Sequence, residues 1–493
     1  MITLTDEQIA CVEAAKNSPA SLLINALAGA AKTTTLVYIA QALPVAPTLC
    51  IAFNKRVSEE MAKRMPSFIT CQTLNSLGHQ VWNKSVGKRL TLATDKGYKI
   101  VSEIFLGEPR KRGGDDLFGP VLKALRIAKS AGYVPTSMRK FGTTLCEISD
   151  IIDTIVQQVD IDPSDDFLAK VDKALELCIS QSYQGIIDFD DQLYMSTLFG
   201  GIFPRYATVM VDEAQDLSPL NHEMLRRMKF ARLIAVGDPH QAIYAFRGAS
   251  HTSMSQLKSC FDMQELTLST SFRCPIAVVQ NALWRVPHMR YPDWAKPGRV
   301  ERLTEWEAST IPDGAAIICR NNAPIFRTAM RLLRAGRGIK ILGNDLGAGL
   351  IKILEKLGSG DTISEVGILL IEKWELAEVK KAHKARHAAI RDKAECLRVF
   401  VASTESLDEA KAYAKMIFAA SGQIELMSGH KSKGGEWDIV FHLDSFLVPS
   451  RWALREATET GNTDQLIQEH NLKYVIESRS KDSLYFIDSE DYV

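Results

Sequence analysis

Short apolar runs, each bounded by polar or glycine-containing segments, punctuate the chain. They are "SLLINAL" (21–27), "TLCIAF" (48–53), "ATVMVD" (207–212), "ARLIAVGD" (231–238), "AAIICR" (315–320), "DIVFHLD" (438–444) and "SLYFID" (483–488). Continuous apolar runs of this length, rich in β-branched residues, predict strands buried on both faces, as in parallel sheets. Stretches of helical character separate most of them, so the pattern predicts an α/β protein with crossover connections. Two longer stretches, about 86–184 and 346–420, read as mainly helical insertions into two α/β cores, with "GEPRKRGGDD" (107–116) as an exposed turn.

At 493 residues the chain exceeds what one core can organise, which agrees with several domains. Its formal net charge is zero, so any binding of nucleic acid must rely on a local track of basic and aromatic groups. Nine cysteines without a C-x-x-C pair argue against a zinc ribbon, an iron–sulfur cluster or a disulfide framework, and fit a reducing compartment. The N-terminus has no basic region followed by an apolar run, and no apolar stretch approaches the roughly 20 residues of a membrane span. The expectation is a cytoplasmic protein, in a bacterial or virus-infected cell, that does not engage a membrane.

The polar residues of interest stand just after the predicted strands, where open α/β sheets bind ligands. "NALAGAAKTTTL" (25–36) follows the first strand and resembles a phosphate-binding loop, G-x-x-x-x-G-K-[ST], with Ala26 and Ala31 in place of both glycines. Lys32 would reach the β/γ-phosphates and Thr33 would ligate magnesium. The alternative is a plain small-residue turn. In "VMVDEAQD", Asp212 fits the magnesium-side carboxylate and Glu213 the group that orients or deprotonates a water. Here the alternative is a helix start with acids in its first turn. Thr5 and Gln8 have the spacing of a capping box, and spacing alone favours that reading.

In order, the chain carries "LTDEQ", "ALAGAAKTT", "IAFNKRVSEEM", "CQTLNSLGH", "VDEAQD", "VGDPHQAIYAFRGA", "LSTSFR", "LMSGHKSKGGEWDIVF" and "NLKYVIESRS". This series resembles the superfamily 1 DNA helicases of the UvrD/PcrA/Rep type, with wording in "AFNK" and "NLKYV" similar to the F-box DNA helicase branch. The resemblance implies two RecA-like P-loop cores with parallel sheets and Mg-ATP hydrolysed between them. Residues 1–85 and 185–268 would form the first core and 86–184 its helical insertion. Residues 269–345 and 421–493 would form the second core, and 346–420 a reduced accessory insertion.

The same resemblance assigns residues to roles. The loop residues Ala28, Gly29, Ala30, Ala31, Lys32, Thr33 and Thr34 would cradle the phosphates, Gln8 would contact adenine, and Glu436 would lie near the ribose. Gln241 would sense the γ-phosphate, and Arg273 and Arg479 would reach it from the second core. Taken singly, each arginine reads as a surface ion pair. Phe53, Asn54, Thr73, Tyr244, Phe246, Arg247, Ser428 and His430 would contact single-stranded DNA by stacking and by phosphate contacts. Phe246 stands where the family usually has Trp, and Asn75 where it usually has His. The basic run Lys380, Lys381, Lys384, Arg386 and Arg391 reads mainly as a solvated helix face.

The implied activity is an ATP-dependent helicase and translocase moving 3′→5′ on single-stranded DNA and opening duplexes. ATP and Mg2+ would be its cofactors, with single-stranded DNA, single–double-strand junctions and replication or repair proteins as partners. The alternative is a hydrolysis-impaired regulator that binds DNA or protein, its loop spoiled by the two alanines.

Overall fold

The computed structural model describes residues 4–106, 117–159, 164–243, 252–358, 362–382 and 386–489. The expected exposed turn at 107–116 and the basic residue Lys384 lie outside the described residues, as do Tyr244, Phe246 and Arg247. The chain divides into two compact units, Met1–Ala26 with Ala31–Leu268, and Leu27–Ala30 with Ser269–Val493. Among the described residues no helix is long and apolar enough to cross a membrane.

In the first unit the strands are β1 (Leu22–Ala26), β2 (Thr48–Ile51), β3 (Ile69–Gln72), β4 (Thr91–Leu92), β5 (Ile186–Ile187), β6 (Arg205–Val211), β7 (Lys229–Gly237) and β8 (Gln264–Leu268). Six of them form one parallel sheet in the order β3-β2-β6-β7-β1-β8, and β4 pairs with β5 apart from it. Because the main-sheet strands run parallel, the segments after β1, β2, β3, β6 and β7 emerge at one edge. Every described candidate residue of this unit except Gln8 sits there.

Between β3 and β6 the chain is mainly helical and packs around its own core, which includes Trp82, Ile100, Leu125, Phe167, Leu175 and Tyr194. At the centre of these helices lies a largely buried ionic knot. Lys96 Nζ donates to Asp191 Oδ2 at 2.6 Å, to the Ser182 hydroxyl and to the carbonyls of Cys178 and Ile186. Lys129 Nζ contacts Asp188 Oδ2 and Asp191 Oδ1, each at 2.7 Å. Burial alone would raise the Asp191 carboxyl, but the two ammonium groups outweigh it and hold it below the usual carboxylate value. The knot anchors the start of the helix Phe189–Leu198, whose Phe189 carbonyl accepts from Asn75 Nδ2 at 2.9 Å.

The second unit holds β9 (Arg299–Arg302), β10 (Ala316–Cys319), β11 (Ile339–Leu342), β12 (Ile424–Ser428), β13 (Trp437–Leu443) and β14 (Ser480–Ile487). They form a parallel sheet in the order β11-β12-β10-β13-β14-β9. The helices from Asn344–Leu357 through Leu407–Ala419 share one hydrophobic cluster with this sheet, in which Phe326, Leu397 and Phe400 meet Ile317, Leu426 and Phe441. The predicted class, α/β with parallel sheets and large helical segments, is the class observed. All seven predicted strands are present; β3, β4, β5, β8, β9, β11 and β12 are additional.

Candidate functional site

The segment after β1 turns on itself through an Ala30 N–H to Leu27 carbonyl bond of 3.0 Å, and the helix Lys32–Ala42 follows. Gly29 (φ 73°) and Ala31 (φ 56°, ψ 41°) both adopt left-handed conformations. That separates the two missing glycines. Ala26 ends β1 in a buried, ordinary strand position and needs no glycine. Ala31 occupies the left-handed region, where a side chain costs about 1 kcal/mol or more relative to glycine.

Thr33 and Asp212 meet at the edge of the sheet, the threonine hydroxyl donating to Asp212 Oδ2 at 3.0 Å. Asp212 is almost wholly buried. Burial raises its pKa to about 7, the neighbouring Glu213 adds to the rise, and Lys32 and the Thr33 hydroxyl offset it in part. A hydroxyl and a carboxylate converging at a helix start are hard oxygen donors, which suit Mg2+ better than a soft metal. Glu213 is held at φ 53°, a left-handed conformation uncommon for glutamate.

A hydrogen-bonded chain joins these acids to the end of β7. Gln215 Nε2 donates to Glu213 Oε2 at 2.5 Å, Gln215 Oε1 accepts from the Asp238 N–H at 2.9 Å, and Gln241 Nε2 donates to Asp238 Oδ2 at 2.7 Å. A side chain at Gly237 would collide with Gln215 Oε1, so glycine is required at that close approach. Gln215 and Asp238 were quoted in the motifs but given no role. Their pairing follows from the adjacency of β6 and β7, which spacing does not encode.

Gln8 forms the capping box that its spacing suggested, with Gln8 Oε1 accepting from the Thr5 N–H, while Nε2 donates to Thr35 Oγ1 at 3.0 Å. The side chain thus ties the first helix to the helix that follows the phosphate loop. Thr34 Oγ1 accepts from Arg64 at 3.0 Å.

A cavity of about 370 Å³ opens at the same edge of the first unit, lined among others by Phe53, Thr73, Asn75, Lys129, Asp212 and Glu213. Phe53 is about half exposed, available for stacking rather than committed to the core. Asn54 and Thr73 cap the helices they precede, accepting from Val57 N–H at 2.9 Å and Ser76 N–H at 3.1 Å.

In the second unit Arg273 and Glu436 form an ion pair. Arg479 is buried, its Nε donating to the Val475 carbonyl at 2.8 Å. Burial and then repulsion from Arg273 lower its pKa to about 10, so it stays charged at neutral pH. Glu436 and Arg479 stand immediately before β13 and β14, whereas Ser428 ends β12, so Ser428 and His430 lie at the opposite edge of that sheet. Desolvation, reinforced by Arg320, lowers the His430 pKa to about 4, so its ring is neutral at pH 7. Arg320 is itself held by Glu469 through a forked contact at 2.8 and 3.0 Å.

Comparison with known proteins places these features. The UvrD/REP helicase N-terminal domain matches residues 151–262, and the UvrD-like helicase C-terminal domain matches residues 375–491. F-box DNA helicase protein 1 of Schizosaccharomyces pombe is 24% identical, over 99% of this chain and 57% of its own length. F-box DNA helicase 1 of Gallus gallus is 25% identical, over 95% of this chain and 47% of its own. ATP-dependent DNA helicase PcrA of Leuconostoc citreum is 24% identical, over 63% of this chain and 43% of its own. The chain spans about half the length of the curated relatives it matches.

Two measurements follow from this geometry. Asp212 binds its proton more tightly folded (pKa about 7) than unfolded (3.8), so the folded state loses stability as pH rises through that window. Asp212→Asn removes this penalty. Its urea midpoint relative to the metal-free parent should be clearly more favourable at pH 8 than at pH 5, and an equal difference at both would contradict the assigned burial. Ala31→Gly relieves the left-handed alanine and should raise stability by about 1 kcal/mol in urea titration, whereas a loss of stability would show that the turn is not strained. The amino- and carboxyl-terminal domain models of UvrD-like helicases are thus matched in chain order, and helicase relatives align along most of the sequence.

Proposed function

We propose that this chain is an ATP-dependent DNA helicase and translocase that moves 3′→5′ on single-stranded DNA and opens duplexes at junctions. The observation that carries the reading is the meeting of Thr33 with buried Asp212, with Glu213 beside it and Lys32 at the start of the same helix as Thr33. A buried acid with a raised pKa is a poor structural choice but a good seat for a divalent cation.

The backbone N–H groups at the start of the helix Lys32–Ala42 and the Lys32 ammonium bind the polyphosphate of ATP. Thr33 and Asp212 are the residues that would hold Mg2+, which when bound neutralises charge on the phosphate oxygens. Glu213, in a left-handed backbone conformation and braced by Gln215, receives the proton of the attacking water. Gln241 is set against the same network through Asp238, so loss of the γ-phosphate can be relayed to Glu213 by three hydrogen bonds. Arg273 and Arg479 supply positive charge to the transferring phosphoryl group, with Arg273 released from Glu436 to do so.

On the DNA side, half-exposed Phe53 stacks on a base. Stacking of this kind is worth about 1–3 kcal/mol per base and is indifferent to sequence. Asn54, Thr73 and Ser428 contact the backbone. His430, neutral at pH 7, acts there as a hydrogen-bond donor rather than as a charge. The names of the relatives, which include DNA helicases and an ATP-dependent one, support the same substrate class. The partners in this reading are single-stranded DNA, junctions and proteins of repair, recombination or replication.

Strand displacement tests the reading and its direction together. With ATP and Mg2+, a duplex bearing a 3′ single-stranded tail should be opened many-fold faster than one bearing a 5′ tail. Preference for the 5′ tail would refute the direction.

A further inference from the structure

Cys50 and Cys71 stand at the roots of the two segments that carry Phe53, Asn54 and Thr73. Cys50 is on β2 and Cys71 on β3, and the parallel register sets them directly opposite each other. Adjacent strands lie about 4.8 Å apart, within the roughly 4.4–6.8 Å of Cα separation that a disulfide bridges. The two thiols are close enough for each to shift the other's pKa. Cys319, the other cysteine on a described strand, faces Ser428 and Leu443 instead.

Their surroundings differ in a way that divides the labour. Cys50 is fully buried, and its contact with Cys71, its burial and the nearby Asp212 all hold it protonated. Cys71 lies on the outermost strand of the sheet and is half-buried, and its interaction with Cys50 lowers its pKa against the effect of burial. A more accessible sulfur with a lowered pKa next to a protected thiol is the arrangement of an attacking and a resolving cysteine.

We propose that Cys50 and Cys71 form a peroxide-responsive dithiol that closes into a disulfide between β2 and β3. The Cys71 thiolate attacks one oxygen of hydrogen peroxide, the O–O bond breaks, and the departing oxygen leaves as water after taking a proton. The resulting Cys71 sulfenic acid is attacked by Cys50. The S–S bond forms as the S–O bond breaks, and the hydroxide leaves as water with the Cys50 proton. Two thiols and one peroxide thus become one disulfide and two waters, and a thiol reductant reverses the change.

The bond would tether segments that already touch, since the Ala52 N–H donates to the Gln72 carbonyl at 3.1 Å. Phe53 and Thr73 line the cavity within three residues of these roots, so a shift of either root as the bond forms would reach them. The dithiol itself goes beyond the proposed helicase function, whereas its effect on DNA binding rests on that reading.

The test treats the full chain with a small excess of hydrogen peroxide, alkylates it under denaturing conditions and maps the peptides by mass spectrometry. A linked Cys50–Cys71 peptide that disappears with dithiothreitol is expected. Cys50→Ser should stop the reaction at a Cys71 sulfenic acid trapped by dimedone, and Cys71→Ser should leave Cys50 unoxidised. Exposed Cys260, which accepts a hydrogen bond from Arg226, is the internal comparison. Oxidation at Cys260 with Cys50 and Cys71 still fully alkylated overturns the proposal. In parallel, fluorescence anisotropy with a single-stranded oligonucleotide should show several-fold weaker binding after oxidation and recovery on reduction. Unchanged affinity in the linked protein overturns the coupling to DNA. Failure of the reduced protein to bind the oligonucleotide would count against the helicase reading, while the peptide map still decides the disulfide.

Discussion

The carboxylate of Asp212, held out of water at the tip of a central strand, is the constraint on which the rest of the first unit depends. Placing an acid there is unfavourable unless something compensates it, and the raised pKa records that the compensation is incomplete in the protein alone. The Thr33 hydroxyl and the Lys32 charge supply part of it, and both come from the helix that follows β1. The position of β1 between β7 and β8, one strand away from β6, therefore has a chemical consequence. It brings a helix start and a strand tip to the same edge of the sheet.

Local strain is concentrated at that edge. Ala31 and Glu213 are two of the four non-glycine residues with positive φ among the described residues. Each lies directly at a segment that touches Asp212 or its neighbours. Backbone held in sparsely populated conformations persists where the surroundings over-determine it, and here the surroundings are the turn after β1 and the Glu213–Gln215–Asp238–Gln241 chain. The ionic knot of Lys96, Lys129, Asp188 and Asp191 gives the helical part of the unit a comparable fixed point.

Much of this was legible in the sequence, for physical reasons. The predicted strands are mostly interior ones, whose two buried faces produce continuous apolar runs. β3, β8, β9 and β11 are outermost in their sheets, and segments such as "QELTL" and "RVER" carry too little apolar weight to stand out. β12 is interior but lies next to a motif, and its sequence "IELMS" was absorbed into that motif. The acids, Lys32 and Thr33 were recognisable because their spacing is local. The bridge from Gln215 to Asp238 was not, because it depends on which strands are neighbours. The strain at Ala31 and its absence at Ala26 were equally out of reach, since the same residue type stands at both positions and only φ distinguishes them.

The account's central claim is that Lys32, Thr33, Asp212 and Glu213 form a working hydrolytic centre coupled to DNA. ATP turnover measured with and without single-stranded DNA, beside a Lys32→Ala control, tests it most directly. The account predicts turnover that rises many-fold with DNA and is lost in the variant. Wild-type turnover that DNA does not stimulate, or that survives in Lys32→Ala, would contradict it and leave a DNA- or protein-binding regulator as the better description.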